Sequence, residues 1–214
     1  MAESTSGIIL RVRPLTETSL IVHWLTPELG RIATVAKGAL RPKSAFRGKL
    51  DLFYLADLSF NRSQRSELHI LREVVVRETH PALRRDLARL QQASYAAALI
   101  EQLTETDTPI PGVFQLMIGV LQRILSSPAD PLTVFAVEMR LLEISGMAPD
   151  IETVKLPPGT RELLKALAEK DWALLARLKA SASQITDIDH FLHGFIIYHA
   201  GRLPKGRHAA VAGV

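Results

Sequence analysis

The sequence predicts an α+β protein: a small all-β barrel over residues 1–80 followed by an all-α domain over residues 81–214. Three observations carry this. Before Pro81 the apolar residues fall in short runs separated by turn residues. From Pro81 onward the apolar period changes from two to about 3.6. The excess positive charge lies entirely in the first part, which sets the two parts apart chemically as well as structurally.

The first strand is read over Ile8-Ile9-Leu10-Arg11-Val12-Arg13, ending at Pro14, and the second over Ser19 to Thr26, ending at Pro27. Leu29-Gly30 turns into a third run, Arg31 to Lys37, whose Ile32, Thr34 and Ala36 share one face. Leu50 to Phe60 gives a fourth and Leu68 to Arg77 a fifth, joined by the polar turn Asn61-Arg62-Ser63-Gln64-Arg65-Ser66. Five short strands suffice for a small barrel.

In the second part an apolar stripe through Leu87, Leu90, Ala97 and Ile100 predicts a helix ending near Asp107, before Pro109 and Pro111. Val113 to Leu125 forms the next. Asp130-Pro131 reads as an N-cap with proline in the first turn, opening a helix that ends at Gly146. After an irregular, proline-containing connection, Thr160 is expected to cap a helix to about Lys170. Trp172 to Leu178 is read as a short helix and Ile185 to Leu203 as a long last one.

Length and a hydrophobic content of 47% place the chain in the globular class, and its net charge is +4. Residues 1–80 hold twelve basic and eight acidic residues, which leaves fourteen of each sign after His80. There is no cysteine, so disulfides, thiolate catalysis and cysteine-ligated zinc are excluded. The first residues lack a basic signal-type segment, and no run approaches ~18 apolar residues, so the expectation is a cytoplasmic protein with no membrane segment.

From Arg31 to Lys49 the sequence carries Arg31, Lys37, Arg41, Lys43, Arg47 and Lys49 with no acidic residue. Gly38 and Gly48 bracket a turn at Pro42-Lys43-Ser44, and Phe46 places an aromatic ring between cations. Cations and an aromatic in a flexible loop suit a nucleic-acid backbone and its bases, although charge runs are more often simply solvated. Arg62 and Arg65 extend this surface if their turn lies nearby. Trp24, Phe53 and Phe60 fall within apolar strands and are expected in the core, leaving Phe46 as the ring to stack on a base. Asp187, His190 and His193 share a helical spacing, yet without cysteine they read as surface or packing residues, and no metal site is expected. No phosphate-cradling glycine loop, dinucleotide turn, nucleophile elbow or metalloprotease helix occurs, so neither a catalytic residue nor a cofactor is expected and the chain is read as a non-enzyme.

The string Gly7-Ile8-Ile9-Leu10, Arg13-Pro14, Glu17-Thr18-Ser19-Leu20-Ile21-Val22, Leu25-Thr26, Gly30-Arg31, Ala36-Lys37-Gly38-Ala39, Lys43-Ser44, Arg47-Gly48-Lys49-Leu50 and Phe53 resembles the bacterial RecO family of recombination-repair proteins. The likeness extends through Leu141 to Pro149 and Tyr198 to Arg207. It implies an N-terminal OB-fold and a non-enzymatic mediator of DNA repair and recombination. Such a mediator binds single- and double-stranded DNA (ssDNA and dsDNA), anneals complementary strands, and with RecR helps load RecA on strands coated by single-stranded-DNA-binding protein. RecR and the C-terminal tail of that coating protein are the implied partners, RecA an indirect one, and association with the bacterial nucleoid during repair the implied setting. The family's basic loop pattern falls on Lys37, Arg41, Lys43, Arg47 and Lys49. Arg123 and Arg140 are candidates for holding the acidic tail. Many relatives carry a four-cysteine zinc module after the stretch matching Leu141 to Pro149; Asp150 to Pro158 has no cysteine, so that module is expected to be missing. Two rival readings stay open: an adaptor gripping acidic protein tails through its helical domain, and an RNA-binding OB-fold protein.

Overall fold

The computed structural model describes residues 2–169 and 171–213. They form two compact units, one of residues up to Pro81 together with Thr104–Phe114, the other of Ala82–Leu103 together with the residues from Gln115 on.

The first unit is built on five strands, β1 (Ala2–Pro14), β2 (Leu20–Thr26), β3 (Gly30–Ala36), β4 (Leu55–Asn61) and β5 (Leu68–Glu78). They close into a barrel in the order β1-β2-β3-β5-β4, with β3 and β5 parallel and every other pair antiparallel. This is the OB-fold arrangement. β1 begins six residues before the stretch read from sequence because its first half has its own partner: Ala2 to Ile8 pair with Asn61 to Leu55, and Ile8 to Pro14 with Leu25 to Leu20. A bulge between Ile9 and Arg11 lets one strand serve both neighbours. β4 starts at Leu55 rather than Leu50, because 50–54 still belong to the preceding loop.

Ile9, Val22, Trp24, Ile32, Ala36, Leu58, Phe60, Leu71 and Val74 fill the barrel. Trp24 donates through Nε1 to Thr34 Oγ1 at 2.9 Å, so the one polar atom of the indole is satisfied inside. Ile8, Leu10, Ile21, Leu25, Ala33 and Val35, on the opposite faces of β1 to β3, are buried too. These strands therefore read as continuous apolar runs instead of clean alternation.

The second unit has α1 (Leu87–Leu103), α2 (Val113–Ser126), α3 (Pro131–Ile144), α4 (Pro158–Glu169), α5 (Trp172–Leu175), α6 (Ala182–Ala200) and α7 (Arg207–Ala212). Asp130 caps α3 as expected, its side chain accepting from the backbone N–H groups of Leu132 and Thr133. α4 starts at Pro158, so Thr160 is a buried residue within it instead of its cap; Lys170, the expected end, lies outside the described residues. α6 starts earlier than expected, at a capping box made by Ser181 and Gln184.

α3 packs against α1, α4, α6 and α7 and is buried on nearly all sides. Inside it, Glu138 has no exposed surface, and its carboxylate accepts from Arg207 Nε at 2.6 Å, Arg207 Nη2 at 3.0 Å and the Tyr95 hydroxyl at 2.5 Å. Arg207 also pairs with Asp189 of α6. Burial disfavours the guanidinium charge, but the hydrogen bonds and charge of Glu138 outweigh it and hold Arg207 above its ordinary pKa. Gln92 of α1 adds hydrogen bonds to the carbonyls of Asp130 and Ala210. A tail that reads as basic and small is thus pinned into the helical core.

α1 stops at Leu103 instead of near Asp107, and Thr104–Phe114 runs along the barrel. Asp107 N–H donates to the Arg31 carbonyl at 2.7 Å, and Arg31 bridges Thr106. Gly30 makes this approach possible: its φ is +67°, and a Cβ there would lie 2.2 Å from the Thr108 carbonyl oxygen.

Gly30→Ala is expected to destabilise the barrel by about 2 kcal/mol or more, through left-handed strain and displacement of Thr108, measured as a shift of the urea midpoint. Arg207→Ala leaves Glu138 uncompensated and is expected to cost about 3–5 kcal/mol, whereas Glu138→Leu combined with Arg207→Met should cost much less. Equal losses in the two denaturation curves would mean that the ion pair itself, not the orphaned charge, sets the cost.

Candidate nucleic-acid interface

Strand directions decide which loops share an end of the barrel. β1 and β3 run the same way and β5 is parallel to β3, so the C-termini of β1, β3 and β5 meet at one end, where β4 begins. The β1–β2 turn and the long β3–β4 connection, residues 37–54, belong to this end. Leu40 N–H donates to the Thr18 carbonyl at 3.0 Å and Gly38 N–H to Ser19 Oγ at 3.3 Å, which ties the two together.

The β3–β4 connection is a chain of tight turns, not the flexible loop expected. Ala39 N–H donates to Ala36 O, Arg41 N–H to Gly38 O, Ser44 N–H to Arg41 O, Arg47 N–H to Ser44 O and Lys49 N–H to Phe46 O. Gly38 and Gly48 occupy the third position of their turns at φ +67° and +71°, as type II geometry demands. Pro42 takes the second position of the Arg41–Ser44 turn, where its fixed φ is pre-set. Ala39 is buried among the core residues, and Phe46 and Leu50 pack against the same cluster.

Turns place their corner residues outward. Lys37, Arg41, Lys43 and Arg47 are exposed and Lys49 is half-exposed. Among the described residues none of the five forms an ion pair; Arg47 donates only to the Pro42 carbonyl at 3.4 Å, and Arg41 lies along Gly38. Arg13, exposed at the close of β1, is a further cation at this end that the sequence reading did not include. Of the nearby acids, Glu78 accepts from the backbone N–H groups of Thr79 and His80, which holds its carboxyl below the usual range, and Asp51 accepts from Leu52 N–H.

The remaining candidates lie elsewhere. Arg31 opens β3 and the Arg62–Arg65 turn follows β4, so both are at the opposite end of the barrel. Arg31 donates through Nε to Thr104 Oγ1 at 2.7 Å and to the Thr104 carbonyl. Arg62 pairs with Glu3 at 2.8 Å and Asp107 at 3.2 Å, and its hydrogen bonds to Glu3 raise its pKa while they lower that of Glu3. Asp107 also meets buried His69 Nε2, whose ring stacks on Phe60. Arg65 is exposed but shares that far end. These three therefore do not extend the basic loop, because the length of a strand separates them from it. Trp24, Phe53 and Phe60 are core residues, and Phe46 is half-buried against the barrel core.

In the helical unit, Arg123 is 6% exposed and pairs with the α3 cap Asp130 at 2.5 Å. Arg140 donates to the Leu167 carbonyl at 3.1 Å and lies 4.1 Å from the Trp172 ring, which packs over Gly119. Burial pushes the Arg140 pKa down. Arg123 is thus buried in its pair with Asp130, while Arg140 is half-buried between a carbonyl and a ring. Among the described residues no three His, Cys, Asp or Glu side chains are grouped to hold a metal ion, and no helix is long and apolar enough to cross a membrane.

Comparison with known proteins matches this two-part layout. Residues 1–80 match the family model "Recombination protein O N terminal" and residues 84–153 match "Recombination protein O C terminal". The chain is 32% identical over 143 residues to the DNA repair protein RecO of Rhodopirellula baltica, covering 67% of this chain and 53% of the relative. It is 31% identical over 147 residues to that of Anaeromyxobacter sp. strain K, covering 69% and 58%, and 33% over 150 residues to that of Gloeothece citriformis, covering 68% and 52%. The chain thus spans about half the length of the curated relatives it matches. Both domain models fall in chain order on the barrel and on the helices that follow it, and the chain belongs to the recombination protein O (RecO) family.

Proposed function

We propose that this chain is a non-enzymatic, DNA-binding mediator of bacterial DNA repair and recombination. One observation carries the reading: four exposed cations and a half-exposed fifth are spaced along consecutive tight turns at one end of an OB barrel, with no acidic partner among the described residues. Unpaired cations at fixed spacing replace the counterions of a phosphate backbone, and the released ions drive binding without regard to sequence. The loop's cations hold single strands and duplex through the same phosphate contacts. Two strands neutralised in this way repel each other less, which lets complementary strands anneal. Membership of the family supports a place beside RecR, with RecA loading on strands coated by single-stranded-DNA-binding protein as the outcome. Docking of the coating protein's acidic tail on the helical unit belongs to the same proposal.

Lys43→Gln combined with Arg47→Gln is expected to reduce the slope of log affinity against log salt by about 1.4 on single strands, since each phosphate contact contributes about 0.7. Arg77→Gln removes a charge from the same barrel, but one already paired with Asp57, and should leave the slope within error. Fluorescence anisotropy across a salt series reads both. A slope unchanged by the double substitution, with the fold intact by circular dichroism, would place the DNA contact elsewhere.

A further inference from the structure

The turns of the β3–β4 connection, with Leu20 of β2, line an open pocket of about 390 Å³. Leu20, Ala39, Phe46 and Leu50 supply the apolar part of its lining, and the rest is polar. Arg41 and Arg47 also line it, and Arg47 donates to the Pro42 carbonyl at 3.4 Å. Leu40, beside them, is 55% exposed although its backbone is tied to the β1–β2 turn. Phosphate binding alone uses none of these apolar atoms. An open pocket that combines apolar side chains, one aromatic residue and two guanidinium groups matches a single nucleotide, which joins a flat, weakly hydrated ring to the phosphates of its own backbone.

We propose that this pocket receives one unpaired nucleobase of the bound strand, with Arg41 and Arg47 on the phosphates beside it. The proposal rests on the reading of the loop as a DNA-holding surface and assigns it a second, non-electrostatic contact. A base inside a duplex is stacked and paired, so it enters the slot only after leaving the helix, at a cost the unpaired strand does not bear. The site therefore favours single strands and frayed ends over duplex of equal charge. One nucleotide per loop is held, and its neighbours along the strand remain free to pair with a complementary strand.

The test uses the full chain and two fluorescent strands of equal length, one of thymidines and one of abasic sugars, which carry the same phosphates. The expected result is affinity about tenfold higher for the thymidine strand, within the range of one stacked base, with equal salt slopes. Phe46→Leu keeps an apolar side chain against the barrel but removes the ring, and should erase most of the difference without changing the slope. Equal affinities with steep slopes would overturn the base slot while leaving the phosphate-holding loop in place. No salt-dependent binding of either strand would overturn both. A difference that survived undiminished in Phe46→Leu and in Leu40→Asp would put the base contact elsewhere and overturn the assignment. So would displacement of the thymidine strand by a short acidic peptide with an aromatic C-terminus, if Phe46→Leu abolished it, since the slot would then be a peptide site.

Discussion

Closure of the barrel is the constraint on which the rest depends. In the order β1-β2-β3-β5-β4, β3 and β4 follow each other in sequence but are not neighbours in the sheet. The chain leaving Ala36 must pass the end of β5 before it can re-enter at Leu55, and that crossing cannot be a two-residue hairpin. A long connection at this end is therefore a topological requirement. Ala39, Phe46 and Leu50 fasten it to the core, while Gly38, Pro42 and Gly48 fold it into successive turns. Ala39, Phe46 and Leu50 face the barrel, Leu40 is exposed, and the cations are spaced along the turns.

The same residue type has two different uses in this chain. At the far end of the barrel and in the helical unit, arginines are consumed by structure: Arg31 on Thr104, Arg62 on Glu3 and Asp107, Arg123 on Asp130, Arg207 on Glu138 and Asp189. Exposed pairs of the Arg62 kind contribute little to stability, about 0–1 kcal/mol, while a buried pair such as Arg207–Glu138 matters chiefly through the cost of breaking it. At the near end, Lys37, Arg41, Lys43 and Arg47 have no such partners among the described residues. Their charge stays available to a polyanion, and the positive excess counted over the first eighty residues becomes local.

Much of this was legible in the sequence because it depends on neighbours a few residues away. Apolar period separated barrel from helices, Asp130-Pro131 marked a helix start, and Gly38 and Gly48 marked turns. What escaped depends on partners far along the chain. Arg31 and Lys37 look adjacent in a list of charges, but six strand residues at about 3.3 Å each put them roughly 20 Å apart, at opposite ends of the barrel. Arg62 and Arg65 were misplaced for the same reason, since a turn after β4 faces away from the turn before it. The early start of β1 is invisible without knowing that Asn61 to Leu55 lie opposite. Nothing in the composition of the tail says that Arg207 will meet Glu138, sixty-nine residues earlier.

Order in the basic connection changes what it can do chemically. A flexible cationic loop adapts to any polyanion but loses conformational freedom when it binds, and that loss subtracts from affinity. Successive hydrogen-bonded turns have given up that freedom already on folding, with the buried Ala39 and the packed Phe46 and Leu50 stabilising the result. Fixed turns also have fixed walls, and here they line a pocket together with Leu20 of β2. The ordering that spaces the cations therefore also creates the pocket beside Arg41 and Arg47. Charge alone would hold paired and unpaired strands by the same contacts, whereas a walled slot beside the charge distinguishes them by whether a base is free to leave its stack.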